Sequence, residues 1–246
     1  MKLHTAILAG LLVGAIGTLA AILAVLNLVR GEYLTAVAAL GACAFCYGLV
    51  IPLPKVVRGA VTPRGEVDDE GTTFWPDRGI DVPVQMSLTG LVLASAMITV
   101  LAPAGRLEIP IPPFMRYSLP FVCAAMAVTG APMVWRNFRR GGIKYVRLTF
   151  DGFALEEGWR SASGDWEQVR EVTDEAPGQQ APTRGAVVFV MADDSAPTIA
   201  AGAITPDGTA LRELVRFYWE HPESRGELTD GRALKRLADE RFEAGS

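Results

Sequence analysis

Hydrophobic positions follow two different patterns along this chain. Up to Trp135 they come in long blocks: residues 6–29, 34–53, 84–104 and 117–135 contain no Asp, Glu, Lys, Arg or His. A helix rises about 1.5 Å per residue and a bilayer core is about 30 Å thick, so each block predicts a membrane span. Pro120 and Pro132 sit near the two ends of the fourth block, where a helix tolerates them. From Lys144 the period shortens. Lys144-Tyr-Val-Arg-Leu-Thr-Phe150 alternates, Asp151-Gly152 marks a turn and Phe153-Ala-Leu155 resumes, which predicts a hairpin. Trp166–Val172 alternates again, with Trp166, Gln168, Arg170 and Val172 expected on one face. Ala186–Met191 predicts a buried strand and Thr198–Ile204 a further one. The period then becomes helical: Leu211, Leu214, Val215 and Tyr218 form one stripe that stops at His221-Pro222, and a shorter helix is expected over 232–241.

The fold class this predicts is a membrane all-α part, a four-helix transmembrane bundle over residues 1–136, followed by a C-terminal soluble α+β domain over 137–246. Residues 55–85 form a loop between the second and third spans. With the N-terminus inside, Lys2, Lys55, Arg58, Arg64, Arg78, Arg136, Arg139, Arg140, Lys144 and Arg147 lie on the cytoplasmic side, against Arg30, Arg106 and Arg116 outside. Cytoplasmic flanks collect Lys and Arg, so both termini are expected in the cytoplasm of a cell with the protein in its plasma (inner) membrane. The first block, 24 residues without a charge, exceeds the hydrophobic region of a signal peptide and is expected to stay as a span. Trp135 and Tyr117 suit interfacial anchors, and 108–113 a stiff Pro-rich connector.

Composition then divides along the same line. The chain is half hydrophobic with a net charge of -4, but residues 1–136 carry +1 and residues 137–246 carry -5. No strongly basic field is present, so a nucleic-acid partner is not expected. Three cysteines exclude a disulfide-stapled secreted scaffold. Proton carriers and pumps place ionisable groups inside their spans; these spans hold none. They do hold small residues four apart, at Gly10/Gly14, Ala20/Ala24, Gly90/Ala94 and Ala127/Ala131, a spacing that lets helix backbones approach.

Candidate chemistry is sparse. Cys43-Ala-Phe-Cys46 puts two thiols on one helix face, a speculative redox pair. With no thiol in the outer loops and no His in any span, packing is the plainer role. The acidic run Glu66, Asp68, Asp69, Glu70 lacks calcium-loop spacing. His221, before Pro222, suits a helix cap, and the serines lack a nucleophile's partners. No catalytic residue, cofactor site or metal site is therefore assigned. The candidate interaction and membrane-surface residues are the basic collar Arg136, Arg139, Arg140 and Lys144, the aromatics Phe74 and Trp75 beside Pro76, and Trp166. Phe74 and Trp75 are expected either at the membrane surface or packed on the following domain, against which the whole loop could dock.

Short antiparallel strands followed by one amphipathic helix resemble a pleckstrin-homology-like domain. Gly164-Asp-Trp-Glu-Gln-Val169 is similar to a strand of bacterial membrane-anchored members, and Phe217–Leu228 to a segment of uncharacterised actinobacterial membrane proteins. The resemblance implies a curled sheet or barrel capped by the helix, serving as a binding or assembly module. Phosphoinositide binding is not carried over, because the first hairpin lacks its own basic cluster. The expected function is a non-enzymatic membrane scaffold, possibly of the envelope, with membrane lipids and unidentified proteins as partners and self-association possible. The alternatives are a thiol-redox protein using Cys43 and Cys46 and, more weakly, a passive channel or lipid-handling protein.

Overall fold

The computed structural model describes residues 3–104, 115, 118–175 and 185–242, with side chains from Ile7 onward. The connector expected at 108–113 and the anchor expected at Tyr117 lie outside them. In chain order the elements are α1 (Leu3–Val29), α2 (Tyr33–Val50), α3 (Leu53–Val57), β1 (Arg64–Asp68), β2 (Gly71–Trp75), α4 (Arg78–Leu101) and α5 (Ser118–Arg140). There follow β3 (Lys144–Thr149), β4 (Gly152–Glu157), β5 (Arg160–Asp165), β6 (Val169–Thr173), β7 (Ala186–Met191), β8 (Thr198–Ala200), α6 (Thr209–Glu220) and α7 (Arg232–Asp239). They divide into two compact units, Met1–Pro54 with Asp81–Gly141, and Lys55–Ile80 with Gly142–Ser246.

The first unit is helical. Four helices are long and apolar enough to cross a membrane: Ile7–Val29, Tyr33–Val57, Arg78–Leu101 and Ser118–Arg140. Gly31, at φ +80°, closes the turn between α1 and α2 and donates its N–H to Leu28 O at 3.1 Å. Two helices run further than the apolar blocks. α4 starts at Arg78 because Asp77 caps it: the Gly79 N–H donates to Asp77 Oδ1 at 2.6 Å, satisfying a donor that the first turn cannot. α5 continues to Arg139 and Arg140, cations placed favourably in its last turn, and stops at Gly141 with φ +76°. Helices approach closely at small residues. A Cβ on Gly41 would lie 2.7 Å from Gly90 O, one on Gly17 2.9 Å from Cys46 Cβ, and one on Gly48 would run into Pro83 O. Among the paired small residues expected to pack, Gly90 and Ala94 meet Gly41 of α2, whereas a Cβ on Gly14 would meet nothing.

The second unit contains two open antiparallel sheets, ordered β1-β2-β3-β4-β5 and β6-β7-β8. Its first two strands come from the segment expected as a loop, so residues 64–75 are sheet. Phe74 pairs with Val146 and Thr72 with Leu148, which makes β2 the neighbour of β3. One core joins both sheets and the helices: Phe74, Val146, Leu148, Phe153 and Leu155 from the first sheet, and Val172, Val187, Phe189 and Ile199 from the second. Phe153 stacks on Phe189 at 3.8 Å between ring centres. Leu211, Leu214, Val215 and Tyr218 of α6 are fully buried, as their spacing predicts. α6 is also fixed to β6 by polar ties, with Trp219 Nε1 donating to Val169 O at 3.1 Å and an Arg216 guanidinium N–H to Val172 O at 3.0 Å.

The strand expected over 166–172 begins later. Trp166–Gln168 forms a 3-10 turn, and β6 starts at Val169 with an irregular register between Val169 and Glu171. The extra residue breaks the alternation, so Val169 and Val172 are buried while Arg170 and Glu171 are exposed. β5 carries no apolar alternation at all. It is an edge strand of small polar residues, with little to bury.

Candidate interaction surface

The residues with candidate roles fall into three physical settings. Phe74 and Trp166 are core residues: Phe74 is fully buried, and Trp166 is buried with its Nε1–H donating to Thr149 O at 3.0 Å. The guanidinium of Arg225 lies over the Trp166 ring at 5.2 Å, and Arg225 Nε donates to Tyr218 O at 2.9 Å. For Phe74 the packed alternative holds, and the surface role expected of Trp166 is corrected; both bury large apolar area in the sheet-containing unit. Lys144 moves as well. It is 8% exposed, and its ammonium donates to Glu157 Oε1 at 3.2 Å and to Ala200 O at 2.7 Å. Glu157 Oε2 accepts in turn from the Ala200 N–H at 3.2 Å. Lys144 and Glu157 thus tie β3 and β4 to β8, and Lys144 is no part of a free basic collar.

Arg139 and Arg140 remain exposed in the last turn of α5, and Arg136 is half-buried one turn earlier. Trp75 is half-buried at the end of β2, paired in register with Arg64, whose guanidinium lies 5.7 Å from its ring centre. Cys43 and Cys46 are both free thiols on α2; Cys46 is buried where Gly17 approaches, and Cys123 is buried on α5. Among the described residues, no group of three or more His, Cys, Asp or Glu side chains is placed to hold a metal ion.

The polar centre of the second unit is one that motif reading passes over. Asp77 is buried, and its carboxylate accepts from Lys55 Nζ at 2.6 Å, the Thr62 N–H at 2.8 Å and the Gly79 N–H at 2.6 Å. Its own N–H donates to Ala203 O at 3.0 Å. Burial alone would raise its pKa. The hydrogen bonds from Lys55, Thr62 and Gly79, with the Lys55 charge, outweigh that and hold the carboxyl below the ordinary range. Both ends of the inserted segment are pinned on one side chain. A lone Asp before Arg-Gly carries only a weak capping signal in the sequence, and its partner Lys55 lies 22 residues away.

A second network closes the C-terminal end. Glu227 accepts from Arg236 Nε at 2.9 Å, from another N–H of the same guanidinium at 2.8 Å, and from Tyr218 OH at 3.1 Å. The Arg236 hydrogen bonds hold the Glu227 carboxyl below its usual range, against burial. Burial, then the Glu227 charge, pushes the Tyr218 phenol above its ordinary value. His221 caps α6, its N–H donating to Phe217 O at 2.9 Å while its ring stacks on Phe217.

These buried charges are all spent on holding strands and helix ends together. Among the exposed side chains at its strand ends are Trp159 and Arg160. No family model, curated protein or solved structure matches this chain.

Proposed function

We propose that this is a non-enzymatic integral membrane scaffold, which holds a binding module at the cytoplasmic face of the plasma membrane. The observation that carries this reading is the insertion of β1 and β2 into the sheet. The sheet-containing unit is joined to the helical unit after Pro54, before Asp81 and after Gly141, and the inserted segment is pinned by Asp77. Such attachment suits a part whose task is to keep a binding surface at the membrane. The antiparallel strands followed by the amphipathic α6 support a PH-like identity for the module, with two open sheets in place of a closed barrel. The inward excess of Lys and Arg supports cytoplasmic termini.

The test is photo-crosslinking of the full-length protein in native membranes, with mass-spectrometric identification of the neighbours. Recovery of the same protein neighbours from crosslinkers on the strand-end turns, and not from the lipid-facing side of α1, is the expected result. Recovery of none, or a reporter fusion that places residue 246 outside the cell, would overturn it.

A further inference from the structure

One cavity lies wholly inside the helical unit. It holds about 480 Å³ between α2, α4 and the end of α5, within the range of sites that take small ligands, about 300–1,000 Å³. Gly41, Ala44 and Gly90 line it where α2 and α4 touch. A Cβ on Gly41 would lie 2.7 Å from Gly90 O, and one on Gly90 2.5 Å from Gly41 O. The backbones are already in contact there, so the two helices cannot close the space by moving together. Leu40, Met86, Leu93 and Phe138 also line the cavity, and all four are exposed. The polar side chains in the lining, Gln85 and Thr89, bond within α4: Thr89 Oγ1 donates to Gln85 O at 2.8 Å, and Gln85 Nε2 to Asp81 Oδ2 at 3.3 Å. An ordered water needs about 2–4 polar partners, and this lining is almost wholly hydrocarbon. Along α4 the cavity runs from Val82, beside the start of the 84–104 apolar block, to Leu93 at the middle of that block. At 1.5 Å per residue this is about 16 Å, against about 15 Å for half of a bilayer core.

We propose that this cavity is a binding site for one linear acyl chain of a membrane lipid. It is one leaflet deep, it carries no charge, and its exposed apolar walls are those that a span turns toward hydrocarbon. Glycine and alanine at the helix contact leave a space that neither helix can fill, and an empty space forfeits the dispersion contacts of its lining. A flexible chain restores them. The carboxyl end of the chain lies at the Val82 and Phe138 end, where α4 enters its apolar block, and the methyl end lies toward Leu40 and Leu93. The inference rests on α2 and α4 being spans; it depends neither on the scaffold reading nor on any protein partner.

The test uses the full-length protein, purified in mild detergent and weighed intact by native mass spectrometry. The wild type should carry one lipid per chain that survives activation strong enough to strip detergent. The mass released on stronger activation tells a phospholipid from a free fatty acid, and either supports the site. Leu93→Trp and Thr89→Phe each fill part of the cavity and should lower the retained fraction about tenfold. Val128→Phe, at an exposed position of α5 outside the cavity, should leave it unchanged. Thermal unfolding reports whether each variant is folded. A measurement on the wild type stands beside them: protein stripped of lipid should rebind dioleoyl phosphatidylglycerol saturably, at one per chain, and then unfold at a higher temperature. A wild type that carries no lipid and rebinds none would overturn the proposal, as would undiminished retention in folded Leu93→Trp and Thr89→Phe. Release of an isoprenoid, or a lipid-free protein dimer, would overturn it as well.

Discussion

Asp77 concentrates three acceptor roles on one buried carboxylate, and the side chain has consequences that a surface ion pair would lack. Lys55 is about one-third exposed, so the charge pair itself is screened and worth little alone. The backbone donors matter more, because Asp77→Ala strands the N–H groups of Thr62 and Gly79. We expect that substitution to cost about 2 kcal/mol, read as a lowered unfolding temperature of the purified protein, with Asp77→Asn intermediate because one amide oxygen can still accept. The acid side of stability follows from the same geometry. Asp77 and Glu227 both have carboxyl pKa values held below their ordinary values in the folded state. Their contribution is therefore complete above the unfolded carboxylate pKa, about 4, and is lost as pH falls through the lowered values. An acid titration followed by tryptophan emission should show unfolding below about pH 4. Glu227→Gln should flatten the stability gain as pH rises toward and through the unfolded carboxylate value, about 4, since it leaves no carboxylate there to titrate.

At the scale of the element, the helices of the first unit approach through glycine and the first sheet of the second unit is extended by strand insertion. Gly48→Ala places a methyl against the Pro83 carbonyl and Ser87, both on α4. Backbone cannot yield as a side chain tip can, so we expect a loss of about 1–3 kcal/mol, measured as thermal stability in detergent. Gly14→Ala, where a Cβ meets nothing, should change stability by less than about 0.5 kcal/mol. Sequence periodicity made the four apolar helices, the β3–β4 hairpin and the stripe of α6 legible, since each signal lies within one segment. It missed β1, β2 and β5 for distinct reasons. Gly71-Thr-Thr-Phe-Trp75 is buried at four consecutive positions, Thr72 and Thr73 included, so no polar-apolar alternation marks it. β1 and β5 are edges whose outward positions need no apolar side chain. The exposed position of Arg139 and Arg140 at the end of α5 is legible from the sequence alone. The burial of Lys144 and Trp166 is not, because it depends on Ala200 and Arg225, each brought close only by the fold, and for Phe74 the pairing with Val146 decides between two alternatives that the sequence leaves open.

For the whole molecule, the decisive feature is that the second unit is discontinuous in sequence. Residues 137–246 read as a C-terminal domain, yet without 55–80 they lack β2, which pairs with β3, and β1 beside it. Removing them would expose one edge of β3 and take Phe74 out of the core, a side chain whose burial is worth about 2–3 kcal/mol. It would also remove the packing of Leu234 against Gly65 and the hydrogen bond that Thr72 Oγ1 donates to Leu228 O. We therefore expect residues 142–246 alone to be aggregated or molten, with poor dispersion in NMR spectra. Residues 55–80 joined to 142–246 by a flexible Gly/Ser linker of about 15 residues, which spans roughly 20 Å on average, should fold cooperatively. Adding Asp77→Ala to that fusion should lower its midpoint by about the same free energy as in the full-length protein, because Lys55, Thr62 and Gly79 are all retained. Cooperative folding of residues 142–246 by themselves would show that β1 and β2 are an addition to a complete domain. The insertion would then be dispensable to the fold, and the case for a membrane-held scaffold would lose its main support.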